Sequence, residues 1–283
     1  MKVENDIQVS VCVVTYNQEQ YIAECLESLV TQQTNFKFEI IVGEDCSTDK
    51  TRSIVKRYVE KYPALFVPLF YENNVGPIEN IKQVYLKAKG KYIAHLDGDD
   101  FALPDKLQLQ YDVLEKGYAI CSHNVCSINM LGKIEHKFWR FEGKEYDWRF
   151  YLKNMPFFAH SSKMFIRNHL ISVINELENN TYDFELHLES FKYGNIYHIS
   201  ENLGVYRLDV GLMKNDKNIL IKMIDTKIRV YEKSIKYFKD FKYIKKFYLL
   251  SLMKILKSTV INGEFREAYR VFLNIIVLIL RSK

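Results

Sequence analysis

Short, continuous apolar runs alternate with helix-period segments through the first half of the chain. Val9-Ser10-Val11-Cys12-Val13-Val14 is the first such run, the composition expected of a strand covered on both faces. It breaks at Thr15-Tyr16-Asn17-Gln18-Glu19, after which Ile22, Cys25, Leu26 and Leu29 fall on one face of a helix. Phe38-Glu39-Ile40-Ile41-Val42 predicts a second strand, ending in the polar loop Gly43-Glu44-Asp45-Cys46-Ser47-Thr48-Asp49. The spacing of Ile54, Val55, Tyr58 and Val59 predicts a helix over 51–61. A third strand over 65–70, a turn over 72–77, a helix over 78–87 and a fourth strand over 91–96 follow. Strands and helices alternating at about 10–15-residue spacing indicate an α/β fold with a mostly parallel, Rossmann-like sheet and right-handed crossovers. Such sheets bind ligands beyond the carboxyl ends of their strands. Each polar cluster falls at one of those ends.

Further along, the pattern predicts a helix over 106–115 and a strand over 118–127. A loop-rich aromatic stretch over 129–158 and a strand over 162–167 come next. Residues 181–192 read as a helix with Phe184, Leu188 and Phe191 on one face and Gly194 just past its end. After Leu212 the chain becomes Lys-rich, with amphipathic helices expected over 219–241, 243–260 and 265–280. The division is therefore a domain over 1–212 and a basic helical tail over 213–283. The apolar run Val271 to Leu280 is shorter than the ~20 residues a membrane-spanning helix needs. A core helix and a shallow membrane-docking face both fit it.

The 283 residues and their 48% hydrophobic content suit one large domain with an appendage. With 20 Tyr and 18 Phe, there is material for packing and for sugar-stacking surfaces. The formal charge of +5 is modest, with acidic loops in the first half and the basic excess in the tail. That asymmetry fits solvated helix faces or an anionic membrane surface, and no nucleic-acid recognition motif accompanies it. Five cysteines without metal-site spacing read as buried free thiols of a reducing compartment. Met1 to Asp6 holds no apolar run, so a cytoplasmic location is expected.

Asp97-Gly98-Asp99-Asp100 follows the strand-forming segment Gly90-Lys91-Tyr92-Ile93-Ala94-His95-Leu96 and precedes Leu103-Pro104. Carboxylates packed this tightly repel one another and call for a compensating charge. A hard divalent cation such as Mg²⁺ or Mn²⁺, held by one or two carboxylates and a substrate's phosphate oxygens, provides it. A site for a metal-bound diphosphate is the expectation.

These pieces, in this order, resemble the family 2 glycosyltransferases of GT-A fold. The matching residues are Val9-Ser10-Val11 with Thr15-Tyr16-Asn17, then Gln32, then Glu39 to Val42 with Glu44 to Asp49. Asn74-Val75-Gly76 with Asn80, Gly90 to Ile93, and Asp97 to Asp100 with Pro104 complete the set. The resemblance is strong over 8–110, weaker to about 210 and absent in the tail. It implies a metal-dependent, inverting hexosyltransferase that uses a UDP-sugar. Its acceptor would be a glycan or polyprenyl-diphosphate-linked molecule in surface polysaccharide assembly (O-antigen, lipopolysaccharide or capsule), with peripheral contact at the inner face of the membrane.

By the resemblance, Asp45 accepts a hydrogen bond from the uracil ring, and Thr15, Tyr16 and Asn17 line the base and ribose pocket. Asn74 approaches the nucleotide, Asp97 reaches the ribose or the metal, and Gly98 belongs to the nucleotide-sugar site. Asp99, supported by Asp100, ligates Mn²⁺ or Mg²⁺. Asp183, in Thr181-Tyr182-Asp183-Phe184-Glu185, matches the general base, with Glu185 the alternative and helix capping its structural counterpart. Departures are Glu44 where Asp is common, Glu79 before Asn80 where Arg is common, and Asp209 replacing His in Tyr206-Arg207-Leu208-Asp209. A non-catalytic nucleotide-sugar-binding or scaffold protein of the same fold is the alternative. His123, His160 and Ser161-Ser162 show no triad arrangement and read as ordinary polar or core residues. No Gln-x-x-Arg-Trp motif is present, which speaks against a processive polymer synthase.

Overall fold

The first apolar run forms β1 (Ile7–Thr15) in a computed structural model that describes residues 7–129, 131–135, 140–155, 157–174, 183–208, 210, 219–261 and 263–280. β1 pairs in parallel with β2 (Lys37–Glu44) on one side and β4 (Tyr92–Asp97) on the other, and β3 (Phe66–Phe70) pairs in parallel with β2. Helices α1 (Ile22–Val30), α2 (Thr51–Lys61) and α3 (Pro77–Lys87) make the crossovers. Both faces of this half-sheet are covered. Val9, Val11, Val13, Ile40 and Val42 pack with Ile22, Leu26, Leu29, Ile54 and Val55 of α1 and α2. Cys12, Ile41 and Ile93 point the other way, to Val84 and Tyr85 of α3 and to Phe157 and Phe165. Double burial is why these strands read as unbroken apolar runs.

The sheet continues through short β9 (Met164–Ile166), which is antiparallel to both β4 and β6 (Ile120–Ile128). β6 runs parallel to β10 (Ile196–Arg207), whose outer edge takes β5 (Phe101–Ala102). The strand order is β3-β2-β1-β4-β9-β6-β10-β5, with β7 (Ile134–Glu135) on β6 and β8 (Lys144–Tyr146) on β10. This is the expected α/β architecture. β9 falls within the strand expected over 162–167, while its antiparallel direction, the short strands β5, β7 and β8 and the whole of β10 go beyond the sequence expectation. Register shifts between Ile199 and Asn202 and between Asn202 and Val205 interrupt the alternation that would have revealed β10. Remaining helices of the domain are α4 (Lys106–Leu114), α5 (Trp148–Asn154), α6 (Arg167–Ile174) and α7 (Asp183–Ser190). α5 lies inside the stretch expected to be loop. Asp147 caps it by accepting the Phe150 N–H at 3.0 Å.

The tail forms α8 (Ile219–Tyr237), α9 (Phe241–Ile261) and α10 (Phe265–Leu280). These helices share a core with the domain. Leu152 of α5 and Phe184 and Leu188 of α7 pack with Val230, Tyr231, Tyr248, Leu252, Val271 and Ile275. Within the apolar run, Val271, Ile275 and Leu278 are buried while Phe272, Leu273 and Val277 stand exposed. Among the described residues, no helix is long and apolar enough to cross a membrane. All five cysteines are free, and Cys12, Cys25 and Cys121 are buried.

A charged clasp crosses the α7–α8 seam. Glu185 is buried, and its two oxygens receive Arg229 Nε at 2.6 Å and Lys233 Nζ at 2.5 Å. Both cations are partly exposed and can turn to water when unpaired. Glu185→Gln is therefore expected to lower unfolding free energy by about 1–2 kcal/mol, less than breaking a fully buried pair. Urea denaturation of the two proteins measures this.

Candidate active site

The carboxyl ends of β2, β1 and β4 lie side by side, with Thr15 opposite Glu44 and Val14 opposite Asp97. Their loops open on one edge of the sheet, and the first two loops are tied together. Asn17, at φ +52°, donates its N–H to Ser47 Oγ at 3.0 Å and accepts the Thr48 N–H on Oδ1 at 2.8 Å. Gln18 N–H donates to Thr51 Oγ1 at 2.8 Å, Glu19 N–H to Asp49 Oδ2 at 3.0 Å, and Lys50 N–H to Glu19 Oε2 at 2.8 Å. A ligand meeting this edge finds its loops already ordered, which lowers the entropic cost of binding. Tyr16 projects from the tied loops with 44% of its surface exposed, whereas Thr15 is buried with its hydroxyl on Gln18 Oε1 at 2.8 Å.

Asp45 sits buried just past β2. Its carboxylate accepts the Val75 N–H at 2.7 Å and the Gly76 N–H at 3.0 Å, and the Asn74 side-chain amide donates to its backbone carbonyl at 3.0 Å. Each carboxylate oxygen accepts more than one donor, so these bonds fix Asp45 while leaving it able to receive another N–H. Asn74 thus braces the loop that carries Asp45. Glu44 is fully buried, ion-paired with Arg52 and accepting the Ser47 N–H at 2.7 Å. The extra methylene relative to Asp is spent inside the fold. Glu79 hydrogen-bonds Gln83, and Asn80 donates to the Gly43 carbonyl at 2.9 Å.

The acidic turn leaves β4 directly over β1. Gly98 N–H donates to the Val14 carbonyl at 2.9 Å, and a Cβ on Gly98 would lie 2.5 Å from Gln18 Oε1 and 2.9 Å from Thr15. Gly98→Ala is expected to push these side chains aside and to lower kcat/KM for the donor by about 10–100-fold. Initial rates over a donor concentration series check this.

The three carboxylates of the turn have separate environments. Asp97 faces His95 Nε2 at 3.1 Å through Oδ1, and His160 Nδ1 at 3.3 Å and Ser161 Oγ at 3.1 Å through Oδ2. Burial alone would raise it, but His160 and His95 hold its carboxyl well below the usual carboxylate range. Asp99 is half-buried, and burial together with the Asp97 charge pushes it up to about 7, against a hydrogen bond from Gln18. Asp100 is buried, and both oxygens are occupied, by Ser161 Oγ at 2.5 Å and the Arg207 N–H at 2.9 Å. Burial and the neighbouring Asp99 and Asp97 charges raise it well above the ordinary value. Asp99 is thus the half-buried carboxylate of the turn, whereas both oxygens of Asp100 are already engaged.

Beneath the turn lies Lys106, fully buried, with Nζ donating to the Ser161 carbonyl and to His123 Nε2, each at 2.8 Å. Burial pushes its ammonium down to about 7, opposed by Cys121 and Asp100. The Arg207 guanidinium pairs with Glu24 and lies over the Tyr21 ring at 4.9 Å. Asp209 lies outside the described residues.

Asp183 is the first residue of α7. That helix is anchored to the β4 edge through His187, whose Nε2 meets buried Lys163 Nζ at 3.3 Å, while the Lys163 carbonyl accepts the His95 N–H at 3.1 Å. Glu185 is committed to the tail. The structure therefore gathers Thr15, Tyr16, Asn17, Asp45, Asn74, Asp97, Gly98 and Asp99 along one sheet edge, with Asp100 beneath it and Asp183 on a separate helix. His95, Gln18, Lys106, His160 and Ser161 are contributions that sequence reasoning missed. His123 fits its core reading, but His160 and Ser161 are not ordinary polar residues, because both contact Asp97 and Ser161 also holds Asp100. Their only sequence signal is a polar run before a strand, which does not reveal a partner 63 residues away.

The family model described as Glycosyl transferase family 2 matches residues 10–174, more than half of the chain. An uncharacterized protein of Mycobacterium bovis is 37% identical over 133 residues, 46% of this chain and 38% of that protein. The putative teichuronic acid biosynthesis glycosyltransferase TuaG of Bacillus subtilis is 36% identical over 106 residues, 38% of this chain and 41% of that one. The chain thus spans about two fifths of the length of these curated relatives. The crystal structure of Staphylococcus aureus TarS 1–349 in complex with UDP-GlcNAc superposes with a TM-score of 0.60 at 19% identity, covering 89% of this chain and 81% of that one. At that identity the likeness establishes a shared fold.

Proposed function

The chain belongs to glycosyl transferase family 2, and from that premise we propose that it transfers a hexosyl group from a UDP-sugar to a hydroxyl of a glycan or lipid-linked acceptor, inverting the anomeric carbon. The observation that carries this reading is the placement of Asp45 and the Asp97–Asp99 turn at the carboxyl ends of β2 and β4, flanking β1 on one pre-ordered edge. Such an edge offers one carboxylate to read a base and another to hold a cation, the two functions a nucleoside diphosphate calls for. The names of TuaG and of poly(ribitol-phosphate) β-N-acetylglucosaminyltransferase TarS of S. aureus, 37% identical over 103 residues, 36% of this chain and 18% of that one, support a surface-polysaccharide product, and O-antigen or capsule is the narrower proposal within that class. The TarS complexes with UDP-GlcNAc and with UDP support the donor class.

In this reading Asp45 accepts the uracil N3–H, while Thr15, Tyr16 and Asn17 border the base and ribose. Asn74 holds the Asp45 loop against the nucleotide, and Asp97 reaches the ribose. Asp99 holds Mn²⁺ or Mg²⁺, with Asp100 supporting the turn from below through Ser161 and the Arg207 backbone. When bound, the divalent cation supplies Lewis-acid compensation for charge on the departing diphosphate. Asp183 takes the proton from the acceptor hydroxyl as that oxygen attacks the face opposite the diphosphate.

The division of labour follows the chain, with the donor machinery in 1–212 and surface attachment in 213–283. Leu250, Met253, Ile261, Phe265, Tyr269 and Phe272 are exposed on α9 and α10, with Lys246, Lys254 and Lys257 exposed alongside them. Exposed apolar and cationic groups on these two helices suit the headgroup region of an anionic bilayer, here the inner face of the cell membrane.

The deciding experiment measures UDP release from a panel of UDP-sugars, with and without lipid-diphosphate acceptors, in the wild type and in Asp99→Ala. Turnover in the wild type and its loss in the variant are expected. Equal release by both proteins rejects the assignment.

A further inference from the structure

We propose that His95, Asp97 and His160 form a transition-metal site at the end of β4, distinct from a cation held by Asp99. Two imidazoles and a carboxylate present one ligand atom each, all within 4.8 Å of one another. The spacing is more specific than that limit. His95 Nε2 lies 3.1 Å from Asp97 Oδ1, and His160 Nδ1 lies 3.3 Å from Asp97 Oδ2. The two contacts use different carboxylate oxygens, so an ion held at ~2.0–2.1 Å would take either oxygen of Asp97 after a small shift of the carboxyl group. The two rings meet edge to face with centroids 3.9 Å apart, so their nitrogens converge on the carboxylate from two directions.

The surroundings have the features of a supported metal site. His95 is fully buried, and its other nitrogen, Nδ1, meets the Tyr85 hydroxyl at 2.8 Å. Ser161 Oγ braces Asp97 at 3.1 Å. Outer partners of this kind fix ring orientation in metal centres. Before metal arrives, neutral His95 donates from Nε2 to Asp97 and accepts from Tyr85. On binding, its one proton resides on Nδ1, Tyr85 becomes the acceptor, and Nε2 turns its lone pair to the ion. His160 likewise keeps one proton, on Nε2, and no oxidant or reductant is needed. About a quarter of the His160 and Asp97 side-chain surfaces is open, which gives an entry path and a position for water or an oxygen ligand.

Imidazole donors select Zn²⁺, Co²⁺ and related ions over Mg²⁺. The site therefore takes a softer cation than one held by the Asp99 carboxylate. It also ties up Asp97, so such an ion competes with any ligand that needs that carboxylate. Neither feature depends on sugar transfer taking place.

Full-length protein freed of metal and titrated with Co²⁺ provides the test. One equivalent with visible d–d absorption is expected. His160→Ala should weaken that binding by at least the ~10–100-fold that an outer-shell partner is worth, with His160→Gln as the second variant if the first melts without cooperativity. Asp99→Ala should keep the absorption. Absence of Co²⁺ bands in the wild type overturns the site. So does binding that survives both His160 variants and disappears in Asp99→Ala, because the ion then belongs to the acidic turn.

Discussion

Asp99→Asn is expected to reduce sugar transfer by about 10³-fold or more, the several kcal/mol that a Lewis-acid cation contributes. The same change should make the metal-free protein more stable above pH 7. The Asp99 carboxyl is pushed up to about 7, by burial first and by Asp97 second, from an unfolded value of about 4. A carboxyl raised by folding contributes stability below its unfolded pKa and loses it as pH rises through the folded one. At pH 8 the ionised group is therefore a liability that the amide removes, by on the order of 1 kcal/mol or ~2–4 °C in Tm. At pH 4 the two proteins should melt together. The same linkage makes wild-type Mn²⁺ affinity fall by about tenfold per pH unit below 7, because each cation displaces one proton. Thermal melts at the two pH values and a Mn²⁺ titration series measure both effects. A lower Tm for Asp99→Asn at pH 8 would mean that Asp99 is a structural carboxylate.

Asp183→Asn carries the second large effect, a fall in kcat of about 10²–10⁴-fold with the donor KM nearly unchanged. The separation follows from the geometry, since the donor edge is built on β2, β1 and β4 while Asp183 opens α7. Glu185→Gln is the informative comparison. Its carboxylate grips Arg229 and Lys233, so it should lose stability without the same selective loss of kcat. Initial-rate kinetics on folded protein distinguishes the pair. A raised donor KM with intact kcat in Asp183→Asn would transfer that residue to the donor side.

Where one strand is sandwiched between helices, sequence reading needed only composition. Val9 to Val14 and Phe38 to Val42 are apolar because both their faces are covered, and the helix over 51–61 was placed from four apolar positions. The positions proposed for the donor side were legible in the same way, because each stands where such a run stops at the carboxyl end of a strand. The second half was harder for physical reasons. The strand expected over 162–167 is there as β9, but three residues carry no signal of its antiparallel pairing, and β10 changes register twice within its length. α5 announces itself only through Asp147 and a single aromatic turn. The supports of the acidic turn were hidden for another reason. His95 sits inside an apolar strand, Lys106 is a cation with no surface exposure, and Ser161 reaches Asp100 across 61 residues. Long-range polar pairing leaves no periodicity to read.

The grip of Arg229 and Lys233 on Glu185 lies two residues beyond Asp183 and across a seam filled by Phe184, Leu188 and Tyr231. The N-terminal turn of α7, which carries Asp183, is thus clamped to α8 by two ion pairs and a shared apolar core. Severing the chain near residue 212 would strip α7 of that clamp and leave the buried Glu185 carboxylate without its two cations.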